Sequence, residues 1–163
     1  METTRWLVRA VPGFGELSTR ERTVIKDFAL LWTCFEFKVL NTHGNANTII
    51  KAMNQLQKHK KLRLVRFKSA IEHFRQRYYN ERGFTPAFDE LGFRNNDHRP
   101  VAEAFVANRT ADEAAILSGL LIIILRLRNN VFHGVKWAYE IRGQFENFYY
   151  ANNALIQVME LHR

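Results

Sequence analysis

The chain has 163 residues, a formal net charge of +8, a pI near 9.9 and 47% hydrophobic residues. That length suits one domain with a sizeable core, and the apolar fraction is that of a globular protein rather than a disordered segment. A single cysteine, Cys34, excludes an internal disulfide and a zinc cluster of the usual cysteine type, and fits a reducing cytoplasm.

The basic balance points to an anionic partner, of which nucleic acid is the commonest; the alternative is an incidental positive charge. Three prolines in the whole chain favour long helices. Arg5 and Arg9 around Trp6-Leu7-Val8 do not have the pattern of a signal peptide.

Residues 1 to about 17 read as an irregular lead-in, broken at Pro12-Gly13-Phe14-Gly15. Ser18 or Thr19 caps a first long helix that runs to about Leu40. Ile25, Phe28, Trp32, Phe35 and Val39 recur every three or four residues and form its apolar face. Cys34 reads as a small hydrophobe buried on that helix. Glu36 lies on the flank of the stripe, one turn from Trp32, either as an exposed carboxylate beside the core or as the partner of a functional cation. Asn41 to Asn45 ends the helix, with His43 in the turn.

From Ala46 to Asn80 the pattern is helical again, with a turn or kink near His59-Lys60-Lys61. Between Lys51 and Arg82 stand ten basic residues and only two acids, Glu72 and Glu81. Lys58, Lys60, Lys61, Arg63, Arg66 and Lys68 are candidates for an RNA-tracking surface; a merely solvated helix face is the alternative. Tyr78 and Tyr79 suit either base stacking or core packing. Residues 81 to 99 read as a loop. His98 sits in it without further ligands at metal-binding spacing, so neither a metal nor a cofactor is expected.

A short helix follows from Pro100 to Asn108. Thr110 or Ala111 opens the most apolar helix. Its run from Ile116 to Leu127 is shorter than the roughly 20 residues needed to span a bilayer, so it reads as a core helix with part of its surface left for a second subunit. The last helix runs from about Lys136 to Leu161. The expected fold is all-α: an antiparallel bundle of four main helices plus a short one, in a single domain over 1–163, without a strand or a repeat.

Chemistry-bearing residues concentrate at the end of the apolar helix, in Arg128-Asn129-Asn130-Val131-Phe132-His133-Gly134. Arginine stays charged and forks onto phosphate oxygens, while histidine exchanges a proton near neutrality. RNA brings its own nucleophile, the 2′-hydroxyl, so a base, an acid and a cation suffice. On a regular helix Asn129 and His133 share a face, but Arg128 and His133 lie about 140° apart. They converge on one substrate only if the helix bends or ends near Gly134, or if two chains share a site. The same run also reads as a helix-capping arrangement.

With its helical lead-in and the size of the domain, this run resembles the signature of the HEPN superfamily, most of all HEPN toxin RNases encoded on plasmids and mobile elements. The resemblance implies a metal-independent endoribonuclease of the toxin or anti-phage type, acting in the cytoplasm as a homodimer with its site between subunits. It implies that Arg128 holds the scissile phosphate, that His133 is the general acid or base, and that Asn129 orients one of them. Glu36 is matched to the polar residue such domains carry on an early helix. RNA and an antitoxin or other protein would be the partners, with no membrane. A non-catalytic HEPN-like module binding RNA or a protein is the alternative, and a helical protein that neutralises a toxin or scaffolds an assembly is a third. HEPN toxins silenced by a nucleotidyltransferase carry Tyr two residues after the motif His; Val135 stands there instead.

Overall fold

A computed structural model describes residues 2–132 and 143–162. The described residues are predominantly helical, as expected. The elements are α1 (Thr3–Ala10), α2 (Thr19–Val39), α3 (Ala46–Lys58), α4 (Lys68–Tyr78), β1 (Tyr79–Asn80), β2 (Gly83–Phe84), α5 (Pro86–Asp89), α6 (Arg99–Val106), α7 (Glu113–Phe132) and α8 (Phe145–Leu161). One-turn 3-10 segments lie at Phe14–Glu16 and Leu64–Phe67.

Local chemistry sets the boundaries. Ser18 caps α2 in a reciprocal box: the Glu21 amide donates to Ser18 Oγ at 3.2 Å, and the Ser18 amide donates to Glu21 Oε2 at 2.8 Å. Asn45 and Thr48 form the same box on α3. The break expected near His59-Lys60-Lys61 is there, with Lys60 in the left-handed region at φ 56°.

Several expectations need correction. The lead-in contains α1, which buries none of its residues and packs on the following 3-10 turn. The stretch from 81 to 99 contains an antiparallel β1–β2 hairpin, with Tyr79 opposite Phe84, and the single turn α5. Cys34 is exposed, because the buried stripe of α2 runs through Phe28, Trp32, Phe35 and Val39, and Cys34 falls on the outer side.

α7 is the centre of the fold. Leu120 through Ile124 are fully buried. α3 and α6 pack on α7, while α8 packs on α2 and α4. By length and composition Glu113–Val131 would be enough to cross a membrane, but 78% of that window is buried within the fold. The chain itself covers this apolar surface, so α7 offers no argument for a second subunit. Gly119 sets the approach of α6: a Cβ there would overlap Phe105 Cβ and lie 2.9 Å from Val101 O.

Candidate functional site

The C-terminal end of α7 meets the C-terminal end of α2. There the Arg128 guanidinium carbon stands 5.8 Å from the centre of the Trp32 ring, and Arg128 Nη1 donates to Asn129 Oδ1 at 3.0 Å. Trp32 is buried, whereas Arg128 and Asn129 are half-buried. A cation over an indole face is attracted by the ring quadrupole, more strongly where water is excluded. The guanidinium is thus held against α2.

Glu36 continues the same network from the far edge of Trp32. The indole Nε1–H donates to Glu36 Oε2 at 3.1 Å, and the Gly44 amide donates to Glu36 Oε1 at 2.9 Å. Both carboxylate oxygens are engaged, one by the ring and one by the turn into α3. Gly44 is required for the close approach, since a Cβ would overlap Glu36 Oε1 and sit 2.8 Å from Cδ. Glu36 therefore joins Arg128 through Trp32. The tryptophan was read from the sequence as core, and only the folded contact gives it a second role. His133, the remaining member of the motif, lies outside the described residues.

The six basic candidates Lys58, Lys60, Lys61, Arg63, Arg66 and Lys68 are all exposed and run over the end of α3, the following turn and the start of α4. Arg63 Nη1 braces that turn by donating to Lys60 O at 2.8 Å, and Val65 stands 79% exposed among the cations. This surface is at the opposite end of α7 from Arg128. Gln57 is tied to the start of α7 through Asp112 Oδ1 at 2.8 Å and the Ala114 amide at 2.9 Å, and from Ala114 to Arg128 the helix rises about 21 Å. Other cations in the basic run serve packing. Arg75 Nε donates to Phe105 O at 3.0 Å, and Arg77 lies against the Tyr78 ring. Tyr78 is buried and its hydroxyl is pushed up to about 12 by that burial, so it is not available for stacking on a base.

Arg126, two residues before Arg128, is 3% exposed and was not singled out in the sequence. Its Nε and Nη2 donate to Leu91 O at 3.0 Å and Gly92 O at 2.7 Å, and Nη1 pairs with Asp97 Oδ2 at 2.9 Å. It closes the 89–98 loop onto α7. The only hint in the sequence was an arginine inside an otherwise apolar run.

Behind the same end of α7, His73 Nε2 lies 2.7 Å from Asn147 Oδ1, and its ring stacks on Tyr150 at 4.5 Å. Asn147 Nδ2 donates to Gln144 Oε1, which leaves Oδ1 to accept from a neutral His73. Burial holds the His73 pKa below its ordinary value, outweighing the bond to Asn147. Among the described residues no three His, Cys, Asp or Glu side chains gather as metal ligands.

The described residues form a mostly helical fold with a stacked arginine at one end of its central helix and a separate basic surface at the other. No family model, curated protein or solved structure matches this chain.

Proposed function

We propose that the chain is a metal-independent endoribonuclease of the HEPN type, working in the cytoplasm as a homodimer. The observation that supports this reading best is the half-buried Arg128, its guanidinium held by Trp32 and Asn129, five residues before His133. Arg128 neutralises the scissile phosphate. His133 exchanges the proton: as base it takes it from the 2′-hydroxyl, or as acid it gives one to the leaving 5′-oxygen. The products are a 2′,3′-cyclic phosphate and a 5′-hydroxyl. Asn129 orients the guanidinium. Glu36 acts through Trp32, which makes it a positioning residue rather than a proton carrier. RNA is the substrate, and an antitoxin or other protein is the expected regulator.

The test is cleavage of a mixed RNA pool in EDTA by wild type, His133→Ala and Arg128→Ala. Cleavage by wild type alone, with cyclic phosphate ends, supports the reading. Unimpaired cutting by His133→Ala would overturn the site.

A non-catalytic RNA-binding module is the second reading. It is favoured by the exposed basic surface about 21 Å along α7 from Arg128, which needs no chemistry at that end. RNA bound but not cut by wild type would establish it.

A further inference from the structure

A cavity of about 320 Å³ lies between the turn that follows α2, the first half of α3 and the end of α8. That volume is at the lower end of the range of small-molecule sites. Val39, Leu40 and Ala52 form its apolar wall, and His43, Lys51 and His162 bring the groups that can carry a charge. Among the described residues no Asp or Glu lines it. Nothing in the cleavage chemistry at Arg128 uses it.

His43 is oriented by its own turn. Its Nδ1 donates to Asn41 O at 2.7 Å. A carbonyl only accepts, so Nδ1 carries the proton and Nε2 is left for a ligand. The backbone that delivers this ring is strained. Asn41 at φ 50° and the β-branched Thr42 at φ 66° follow one another in the left-handed region, a conformation that costs free energy and clusters at functional sites. Lys51 is exposed, and among the described residues no carboxylate stands within ion-pair distance of its ammonium. His162 ends α8, and its Nε2 is buried with no hydrogen-bond partner, a polar atom that the chain leaves unmet.

We infer that this cavity binds a phosphate group of the RNA strand, with Lys51 Nζ and His43 Nε2 donating to its oxygens and His162 as the third polar group. An ammonium and an imidazolium make charge-assisted bonds to phosphate, and no carboxylate lines the cavity to repel it. An imidazole near neutrality takes up its second proton when such an anion arrives beside it. The position favours a strand over a free ion. On one side the cavity meets the turn that Glu36 holds through the Gly44 amide at 2.9 Å. On the other, Lys61 of the basic surface lies close enough to His162 to oppose its protonation. The cavity thus stands between the Arg128 network and the basic surface, where a strand that engages both must pass. The inference rests on RNA being the partner of this chain.

The experiment follows the imidazole signals of the full chain by NMR during titration with inorganic phosphate and with a 2′-O-methyl RNA oligonucleotide, which cannot be cut. Affinity for the oligonucleotide is measured beside it on wild type, Lys51→Ala and His43→Gln. The expected result is that the oligonucleotide moves the His43 and His162 signals and leaves His73 in place. Lys51→Ala should weaken the oligonucleotide by about tenfold, the order of one charge-assisted hydrogen bond. Lys51 and His43 are both exposed, so neither variant threatens the fold. Histidine signals that neither ligand moves, or an affinity unchanged in both variants, overturn the inference. Signals moved by inorganic phosphate but not by the oligonucleotide overturn the assignment to a strand and leave a free phosphate as the occupant. Both histidines moved by the oligonucleotide, with no cleavage of unmodified RNA, uphold the cavity and remove the nuclease. Cleavage that depends on His133, with both histidines unmoved, does the reverse.

Discussion

Trp32 carries Arg128 on its face and Glu36 on its edge: the guanidinium carbon is 5.8 Å from the ring centre, and the indole N–H reaches Glu36 Oε2 at 3.1 Å. The ring therefore links a cation of α7 to a carboxylate of α2 that also holds the turn into α3. Trp32→Phe keeps an aromatic face for Arg128 but leaves Glu36 Oε2 without its donor. Loss of that bond is expected to cost about 1–3 kcal/mol of stability. Trp32→Leu removes the face as well, and cleavage should fall further than stability. Comparing denaturation midpoints with kcat/KM for the two variants separates these effects.

Glu36→Gln distinguishes a positioning carboxylate from a proton carrier. An amide offers one oxygen, so it can accept from Trp32 or from Gly44 but not from both, and its NH2 group opposes the remaining donor. If Glu36 positions Trp32, the variant loses about 1–3 kcal/mol of stability and only a small part of its cleavage rate. If Glu36 moved the proton, the rate would fall about 10²- to 10⁴-fold. The pH–rate profile is the second readout. A positioning role leaves its shape unchanged, whereas loss of an acid or base removes one limb.

Arg126 and Asp97 form a buried pair at 2.9 Å, with two further donors of Arg126 on loop carbonyls. Arg126→Met leaves Asp97 and those carbonyls without their partner, and is expected to destabilise the fold by about 3–5 kcal/mol. Asp97→Asn keeps the shape and loses the charge, so its loss should be smaller. Thermal denaturation of both variants checks the order. An Arg126→Met protein as stable as wild type would show that the 89–98 loop does not depend on this anchor.

How far these features were legible in the sequence varies with the range of the contact. The capped start of α2, its apolar stripe and the break after α3 follow from local spacing, and all three are present. The apolar run of α7 was also plain, but a run of that kind does not say what covers it. Its cover is the rest of the chain, including an α6 brought close by Gly119. Glu36 stood out because it lies among aromatics, yet its bond to Trp32 depends on the rotamer of a long side chain, and its bond to Gly44 on how the next turn folds back. The hairpin at Tyr79–Phe84 is two residues a strand, too short for any periodicity to show. Arg126 lay unnoticed because an arginine two residues from a more suggestive one carries no sign of which carbonyls it will meet.

Acid should weaken the fold through His73. Burial lowers the His73 pKa in the folded chain, while the unfolded chain returns to the ordinary value of 6.5. The unfolded state therefore binds more protons as pH falls below that value, and stability declines until the folded pKa is passed. His162, also lowered by burial, adds in the same direction. Urea midpoints measured from pH 7.5 to 5 should fall, and His73→Gln, which has no proton to gain, should fall less steeply. A flat wild-type curve would mean that the two half-buried histidines are not linked to folding.

The distance between the basic surface and Arg128 makes RNA length the informative variable. Lys60 and Lys61 lie beyond the α3 end of α7, and Arg128 lies about 21 Å along that helix from Ala114. A substrate that touches both must span the domain. If the surface tracks phosphates, each contact removed lowers the salt dependence of single-strand binding by about 0.7 in log–log slope. Lys60→Glu with Lys61→Glu should therefore reduce the slope and weaken long RNA by an order of magnitude or more. The loss should be much smaller on a dinucleotide, which cannot reach from one end of α7 to the other. Equal losses on long and short substrates would mean that the lysines act on the Arg128 end directly, and the two surfaces would have to be regarded as one. An unchanged salt slope would make these lysines a solvated face, leaving Arg128 and its neighbours as the whole of the nucleic-acid site.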